Sequence, residues 1–464
     1  MEKINQIEIK NSKGIGKDIY ELIQDLYPIC RSITGNGVRE TLNKIKQHIP
    51  LNISEVPTGT KVFDWEVPKE WNINDAYIKN SKGEKIVDFK KSNLHVLNYS
   101  IPIHKKISLT ELKKHIFTLP EHPDWIPYRT SYYEENWGFC ISHEQFEKLT
   151  EDEYEIVISS TLKEGHLTFG ELFLKGESEK EILFSCYICH PSMCNDNLSG
   201  VSLLTFLAKF ISKKKLKYSY RFLFIPETIG AITWLSLNEK KVNNIQGGLV
   251  ATCLADQGHV TYKKTRMGNS VIDKIVEKIL KESGEKYEII DFFPSGSDER
   301  QFSSPGFNLP IGSVTRTLYG KFPEYHTSAD NLDFVHPKYF QNTFEKYVKI
   351  FTELENNFEK NQLEMKDENN SPLNKKNIQK NRRNELIFQN LYPKCEPNLG
   401  KRGLYDMIGA NKNELNNKIS IFWVLNLSDG KNSLMDISTR SKIKFSDIEL
   451  AAKHLLKANL IKSI

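Results

Sequence analysis

No stretch of the chain approaches the roughly 20 consecutive apolar residues that a membrane-spanning helix requires. The opening "MEKINQIEIKNSKGIGKDIYELIQDLYPIC" has neither an unbroken apolar segment nor a small-residue cleavage site, so no secretion signal is expected there. Cysteine is sparse: seven in 464 residues, an odd number, which argues against a disulfide framework and fits the reducing cytoplasm. Charge imbalance is slight too. A net +5 over this length leaves no chain-wide basic footprint for nucleic acid, which would have to come from local clustering. No internal repeat is visible, so a repeat array is not expected.

What is present is core material. Hydrophobic residues make up 39% and aromatics 11%, enough for two or three globular domains at this length. Residues 17–49 carry apolar side chains at three- and four-residue spacing on both sides of a Gly-containing turn, which predicts two amphipathic helices. From 51 to 165 the pattern shifts to short alternating runs such as "EKIVDF", "NLHVLNY" and "YEIVIS", a β-rich region. From about 180, "EILFSCYICHP", "YRFLFIPET" and "GGLVATCLAD" are continuous apolar runs separated by helical segments. That pattern predicts a parallel sheet buried on both faces, with its ligand site beyond the carboxyl ends of the strands. A helix over 338–358 precedes the polar "NQLEMKDENNSPLNKKNIQKNRRNE", which reads as a linker. Beyond it, short helices and a final apolar "NLIKSI" predict a helix-turn-helix with a wing-like end.

The stretch "CYICH" at 186–190 matches the C-x-x-C-H of haem attachment, but so short a match arises easily by chance. Cys186 and Cys189 lie three apart on an apolar strand, so they face opposite sides of the sheet and read as small hydrophobes. His190 is the residue of interest, because the strand ends that follow carry more ligand chemistry. "CNDNLSG" supplies Asp196, "FIPETIG" Glu227, "CLADQG" Asp256, "SGSDERQF" Asp298 and Arg300, and "EYHTSADN" His326. Imidazole and carboxylate are the usual ligands of catalytic zinc, which keeps an open position for water.

In the order and spacing of "NDNLSG", "GSDERQF", "PGFNLPIGS" and "YHTSADNLD" the chain resembles the zinc aminopeptidase and glutamate carboxypeptidase clan. More narrowly, "LYPICRSITGNGVRETL" together with "CHPSMCNDNLSG" resembles the bacterial and archaeal aminopeptidase-like family. The resemblance implies an α/β fold with a mixed, mostly parallel sheet flanked by helices. It implies a catalytic domain from 1–50 and 166–360, an inserted β-rich domain over 51–165, a linker over 361–383 and a winged-helix domain over 384–464. It makes His190, Asp196, Asp256 and His326 metal ligands, with Asp196 central, and Glu227 the general base. Thr228 stands where the clan has a second glutamate, a metal ligand, so one zinc ion is expected rather than two.

From position alone, Arg300 and Arg316 are candidates to grip a substrate carboxylate, and Tyr319 and Tyr325 to line the pocket or donate to an oxyanion. Asp298 reads equally as a helix N-cap before "ERQF" or as a support behind the ligands. The aromatic run holding Trp125, Tyr128, Tyr132, Tyr133 and Trp137 either flanks the site or stacks on sugars, or fills the insert's own core.

The function this implies is zinc-dependent hydrolysis of a peptide or small amide in the cytoplasm. Kinship to proteins of surface-polysaccharide biosynthesis extends the substrate class to an amide on an amino sugar. The competing function is a degenerate peptidase-like binding or regulatory protein acting through its winged helix. "FSDIELAAKHLLKA" is poor in arginine, which argues against base reading in DNA and leaves protein contact, including a homo-oligomer interface.

Overall fold

The computed structural model describes residues 14–363, 386–404 and 415–464. Most of the expected linker, 364–383, lies outside them. No helix among the described residues is long and apolar enough to cross a membrane.

The two expected N-terminal helices are α1 (Ile15–Leu26), burying Ile19, Leu22, Ile23 and Leu26, and α2 (Asn36–Lys46), burying Val38, Leu42 and Ile45. Both follow the i, i+3, i+4 spacing of an amphipathic helix. Gly35, which precedes α2, has φ 96°, and a side chain there would lie 1.9 Å from the carbonyl oxygen of Trp71, so only glycine fits.

β1 (Asn52–Pro57) joins the large sheet, not the insert, although it falls within the β-rich stretch of the sequence. The insert's own four-stranded sheet comprises β2 (Glu70–Lys79), β3 (Lys85–Asp88), β4 (Ile103–Ser108) and β5 (Glu153–Lys163), in the order β3-β2-β5-β4. Its pairings are all antiparallel, with β2 and β3 joined by a short hairpin turn and β5 returning from farther along the chain to pair with both β2 and β4. The chain then returns through β6 (His166–Leu174) and β7 (Glu181–Tyr187) to the large sheet.

There β7 leads to α3 (Ser199–Ile211), β8 (Ser219–Ile225) to α4 (Ile229–Leu237), and β9 (Ile245–Ala251) to β10 (Val260–Lys263). Next come α5 (Val271–Glu282), β11 (Tyr287–Ile290), β12 (Ile311–Thr315) and the long α6 (Pro337–Asn356). Pro337 begins α6, where its missing N–H costs nothing. The eight-stranded order is β1-β6-β8-β7-β9-β12-β10-β11, with the central run β8-β7-β9-β12 parallel throughout. β7 and β8 are buried at every residue, which is why they read as unbroken apolar runs. Ile182, Phe184 and Cys186 pack on one face against α1, α3 and α6, while Leu183 and Cys189 join α4 and the insert on the other.

The C-terminal part holds β13 (Ile387–Asn390), α7 (Leu415–Leu427), β14 (Asp429–Ser433), α8 (Leu434–Ser441), α9 (Phe445–Lys457) and β15 (Ile461–Ser463), with sheet order β14-β13-β15. Its apolar core centres on Val424, Ile437, Ile448, Leu455 and Leu460.

One ion-pair group ties α2 to both sheets. Arg39 grips both Glu70 oxygens, at 2.9 and 2.6 Å, and reaches Glu55 of β1 at 2.5 Å. The hydrogen bonds from Arg39 hold the Glu70 carboxyl at about 2, against the opposing effect of burial. Its contribution to stability is complete above the ordinary glutamate range near 4.3 and is lost as pH falls through about 2. Arg39→Ala is expected to cost about 1–2 kcal/mol at pH 7, after allowing for solvent screening. Urea denaturation at pH 7 and pH 2 checks this: the gap between wild type and variant should close at the lower pH.

Candidate metal centre

The carboxyl ends of β7, β8 and β9 open onto one site. His190 follows β7, Glu227 follows β8, and Asp196 sits in the turn Cys194–Leu198 that enters α3. His326 comes from the long loop between β12 and α6. The ligand atoms of His190, Asp196 and His326 all lie within 4.8 Å of one another, and all three residues are buried. His326 Nε2 is 3.0 Å from Asp196 Oδ2, and His190 Nδ1 is 3.5 Å from Asp196 Oδ1. Glu227 Oε2 stands 3.5 Å from His190 Nε2. Burial would push the Asp196 carboxyl up, but the two imidazoles hold it well below the usual carboxylate range. Burial likewise opposes charge on His190, but the Asp196 carboxylate prevails and raises it well above its ordinary value. A carboxylate between two imidazoles, with water largely excluded, is a donor set suited to zinc.

Asp256 is not part of this group. One of its oxygens accepts from Gly258 N (2.7 Å) and Thr317 Oγ1 (2.6 Å), the other from Asn195 Nδ2 (3.0 Å) and Thr317 N (3.1 Å). Its carboxylate steadies the residue next to Asp196 and has little left to offer an ion. Asp298 makes no cap bond to the helix it precedes. It accepts the Thr228 N–H at 2.7 Å, and burial, reinforced by the charge of Glu227, pushes its carboxyl well up. Thr228 itself has φ 62°, a strained conformation for a β-branched residue, beside the candidate base.

Of the four expected substrate groups, two face elsewhere. Arg316 extends to Asn342 (3.0 Å) and Thr343 (3.4 Å) on α6, over the ring of Tyr339. The Tyr319 hydroxyl belongs to a buried network with Lys263 Nζ (3.1 Å) and the Ser295 carbonyl (3.2 Å). Arg300 does reach the site's edge, donating to Thr228 Oγ1 at 2.9 Å, and it pairs at 3.1 Å with Glu396 from the segment that follows β13. Tyr325 stacks on His326, with ring centroids 3.9 Å apart.

Residues beyond the expected set complete the surroundings. Tyr187, the Y of "CYICH", donates its hydroxyl to Asp196 Oδ1. Asp330, in "YHTSADN", accepts the backbone N–H groups of Asn195 (2.6 Å) and Asp196 (2.9 Å), and burial pushes its carboxyl up to about 8. Arg31, in "LYPICRSITG", holds the carbonyls of His190 (2.7 Å) and Pro191 (3.1 Å). Tyr128 of the insert sets its ring edge-on to both His190 and His326, centroids 5.2 and 5.3 Å away, and donates its N–H to the His326 carbonyl at 2.8 Å. Of the two readings of the aromatic run, Tyr128 takes the first and Trp137, buried in the insert's core, the second. The insert is also stitched to the C-terminal part: Asp64 receives a fork from Arg402 (2.5 and 3.1 Å), and Trp65 Nε1 donates to the Glu396 carbonyl at 2.8 Å.

A mixed, mostly parallel sheet flanked by helices, with a buried His/Asp/His group at its strand ends, an inserted β-rich region and a winged helix, defines an aminopeptidase-like α/β protein. Residues 20–357 match the family described as a domain of unknown function (DUF4910), and the chain belongs to that family. Residues 386–463 match a winged helix-turn-helix. A Clostridium acetobutylicum protein is 54% identical over 464 residues, the full length of both chains. Its provisional name is that of a polysaccharide biosynthesis protein with an aminopeptidase-like domain. A crystal structure of a protein from the same organism, provisionally named a peptidase, is 52% identical with a TM-score of 0.74, covering 98% of each chain. A zinc aminopeptidase from Bacillus subtilis is 12% identical with a TM-score of 0.54, covering 73% of this chain and 94% of its own, and shares the fold.

Proposed function

We propose that the protein is a zinc-dependent amide hydrolase of the exopeptidase type, with His190, Asp196 and His326 holding one ion and Glu227 carrying the proton. The observation that carries this reading is the buried His190–Asp196–His326 group with the Glu227 carboxylate 3.5 Å from one of its imidazoles. Bound there, zinc supplies Lewis acidity toward water and toward the scissile carbonyl. Glu227 Oε2 is near enough to take a proton from water at the group and return it to the leaving amine nitrogen. The Asp196 carboxylate, fixed by Tyr187, keeps the imidazoles oriented. The Tyr128 and Tyr325 rings cover the two histidines and exclude bulk water. At the rim, Arg300 is the candidate to meet a substrate's anionic group, exchanging contact with Glu396.

The substrate is a peptide or small amide. The polysaccharide-biosynthesis name of the Clostridium relative adds amides on amino sugars to the candidates. The test is a panel of aminoacyl, amidated and N-acyl amino-sugar compounds with the zinc-loaded protein. Glu227→Gln is expected to lower kcat by about 10²–10⁴-fold while zinc stays bound. A zinc-loaded protein that turns over none of the panel would favour the competing reading, a peptidase-like binding protein.

A further inference from the structure

His190 has a second set of neighbours. Its Nδ1 lies 3.2 Å from the backbone carbonyl of Asp196, whereas its Nε2 faces Glu227. An imidazole that donates from Nδ1 to a backbone carbonyl carries its lone pair on Nε2, the tautomer that metal-ligating histidines commonly adopt. Cys189 stands beside this ring as well. Its Sγ, a His190 ring nitrogen and a Glu227 carboxylate oxygen all lie within 4.8 Å of one another. Cys189 is 1% exposed, and the backbone N–H of Glu227 points at its sulfur from 3.3 Å.

Cys186 has none of this. It lies in the opposite face of the sheet among α1, α3 and α6 and donates to the Leu223 carbonyl at 3.7 Å. The C-x-x-C spacing therefore buries the two sulfurs on opposite faces of the sheet, and only that of Cys189 also borders the site.

We propose that Cys189 ligates the ion held at His190, with the Glu227 carboxylate alongside as the proton carrier. The thiol proton leaves to solvent as the sulfur–metal bond forms. A thiolate ligand selects the thiophilic divalent ions, zinc and cobalt, over magnesium, calcium and manganese, whose preferred ligands are oxygen. It also makes the site sensitive to thiol oxidants, because the ligand itself is the group attacked. This inference rests on the reading that the cluster binds a metal, and it assigns a ligand that reading does not contain.

The test uses cobalt(II) as the probe in the metal-free full-length chain. Wild type and Cys186→Ser are expected to take up one cobalt per chain and to show a thiolate-to-cobalt charge-transfer band in the near ultraviolet. Cys189→Ser and Cys189→Ala, checked for native circular dichroism, should keep the visible cobalt bands but lose the near-ultraviolet band. Their affinity for cobalt should be weaker by about tenfold or more. Cobalt uptake by wild type without the sulfur band, or a band that survives in both Cys189 variants, overturns the proposal and leaves the hydrolase reading standing. Failure of wild type to bind cobalt at all overturns both.

Discussion

Asp196→Asn should abolish the zinc dependence of the protein while leaving its fold intact. The change is isosteric: the amide oxygen that replaces the carboxylate can still accept from the Tyr187 hydroxyl, and the backbone N–H still meets Asp330. What disappears is the negative charge between the two imidazoles, the charge that would meet a bound cation. Zinc affinity is expected to fall about 100-fold or more, since even changes behind the ligands commonly cost 10–100-fold. At a zinc concentration 100 times the wild-type Kd, the ion should stabilise wild type by about 2.7 kcal/mol and the variant by about 0.4 kcal/mol or less. Thermal unfolding with and without zinc reads this directly, and turnover should fall at least in proportion to the lost occupancy. Asp256→Asn is the informative comparison. It should leave zinc binding within about tenfold of wild type, its cost appearing as lost stability from the donors of Gly258 and Thr317. If Asp256→Asn abolishes zinc binding as completely as Asp196→Asn, then Asp256 is itself a ligand and the three-residue group is wrong.

That comparison marks where the sequence stops being readable. The order His, Asp, Glu, Asp, His follows from strand ends, and strand ends are legible because β7, β8 and β9 are unbroken apolar runs stopped by polar residues. Order along the chain does not say which way a side chain turns. Asp256 is captured by Thr317, beyond the end of β12, and by the backbone of its own turn. Arg316 turns toward α6 because Asn342 and Thr343 present acceptors there. Tyr128 carries two readings in the sequence, and the contact that decides between them is remote. It meets His326 across nearly two hundred residues, through a loop pairing in which Ile126 and Ser328 exchange hydrogen bonds at 2.8 and 2.9 Å. The boundary of the insert is blurred by β1, a largely exposed edge strand in which only Val56 is fully buried, so composition does not assign it to the large sheet. Cys189 shows the same limit, since beside an apolar strand a cysteine that packs and one proposed to ligate look alike in the sequence.

Arg31→Met should cost more stability than Arg39→Ala or either aspartate change, and should weaken the metal site as well. The guanidinium is 1% exposed, and its partners are carbonyl oxygens: Leu26 at 2.8 Å, His190 at 2.7 Å and Pro191 at 3.1 Å. Burial lowers it to about 10, so it is still charged at neutral pH. Each charge-assisted bond to a carbonyl contributes about 1.5–3 kcal/mol, and methionine fills the volume while stripping the His190 carbonyl of its donor and leaving those of Leu26 and Pro191 only the N–H groups of Ile29 (3.2 Å) and Met193 (2.6 Å). A net loss of about 3–5 kcal/mol is expected, read as a shift of the urea midpoint at unchanged slope. The Leu26 carbonyl ends α1, where the helix dipole also favours a cation, so part of that loss belongs to the helix terminus. The rest belongs to the loop that carries His190. With its two carbonyls released, the imidazole is no longer held against Asp196, and zinc affinity should fall by about 10–100-fold in the variant that remains folded. Arg31→Lys separates the two effects. A single ammonium keeps the charge but cannot span all three carbonyls, so it should recover part of the stability and little of the affinity. If Arg31→Met binds zinc as tightly as wild type, Arg31 serves the fold alone and the loop at His190 is fixed by other means.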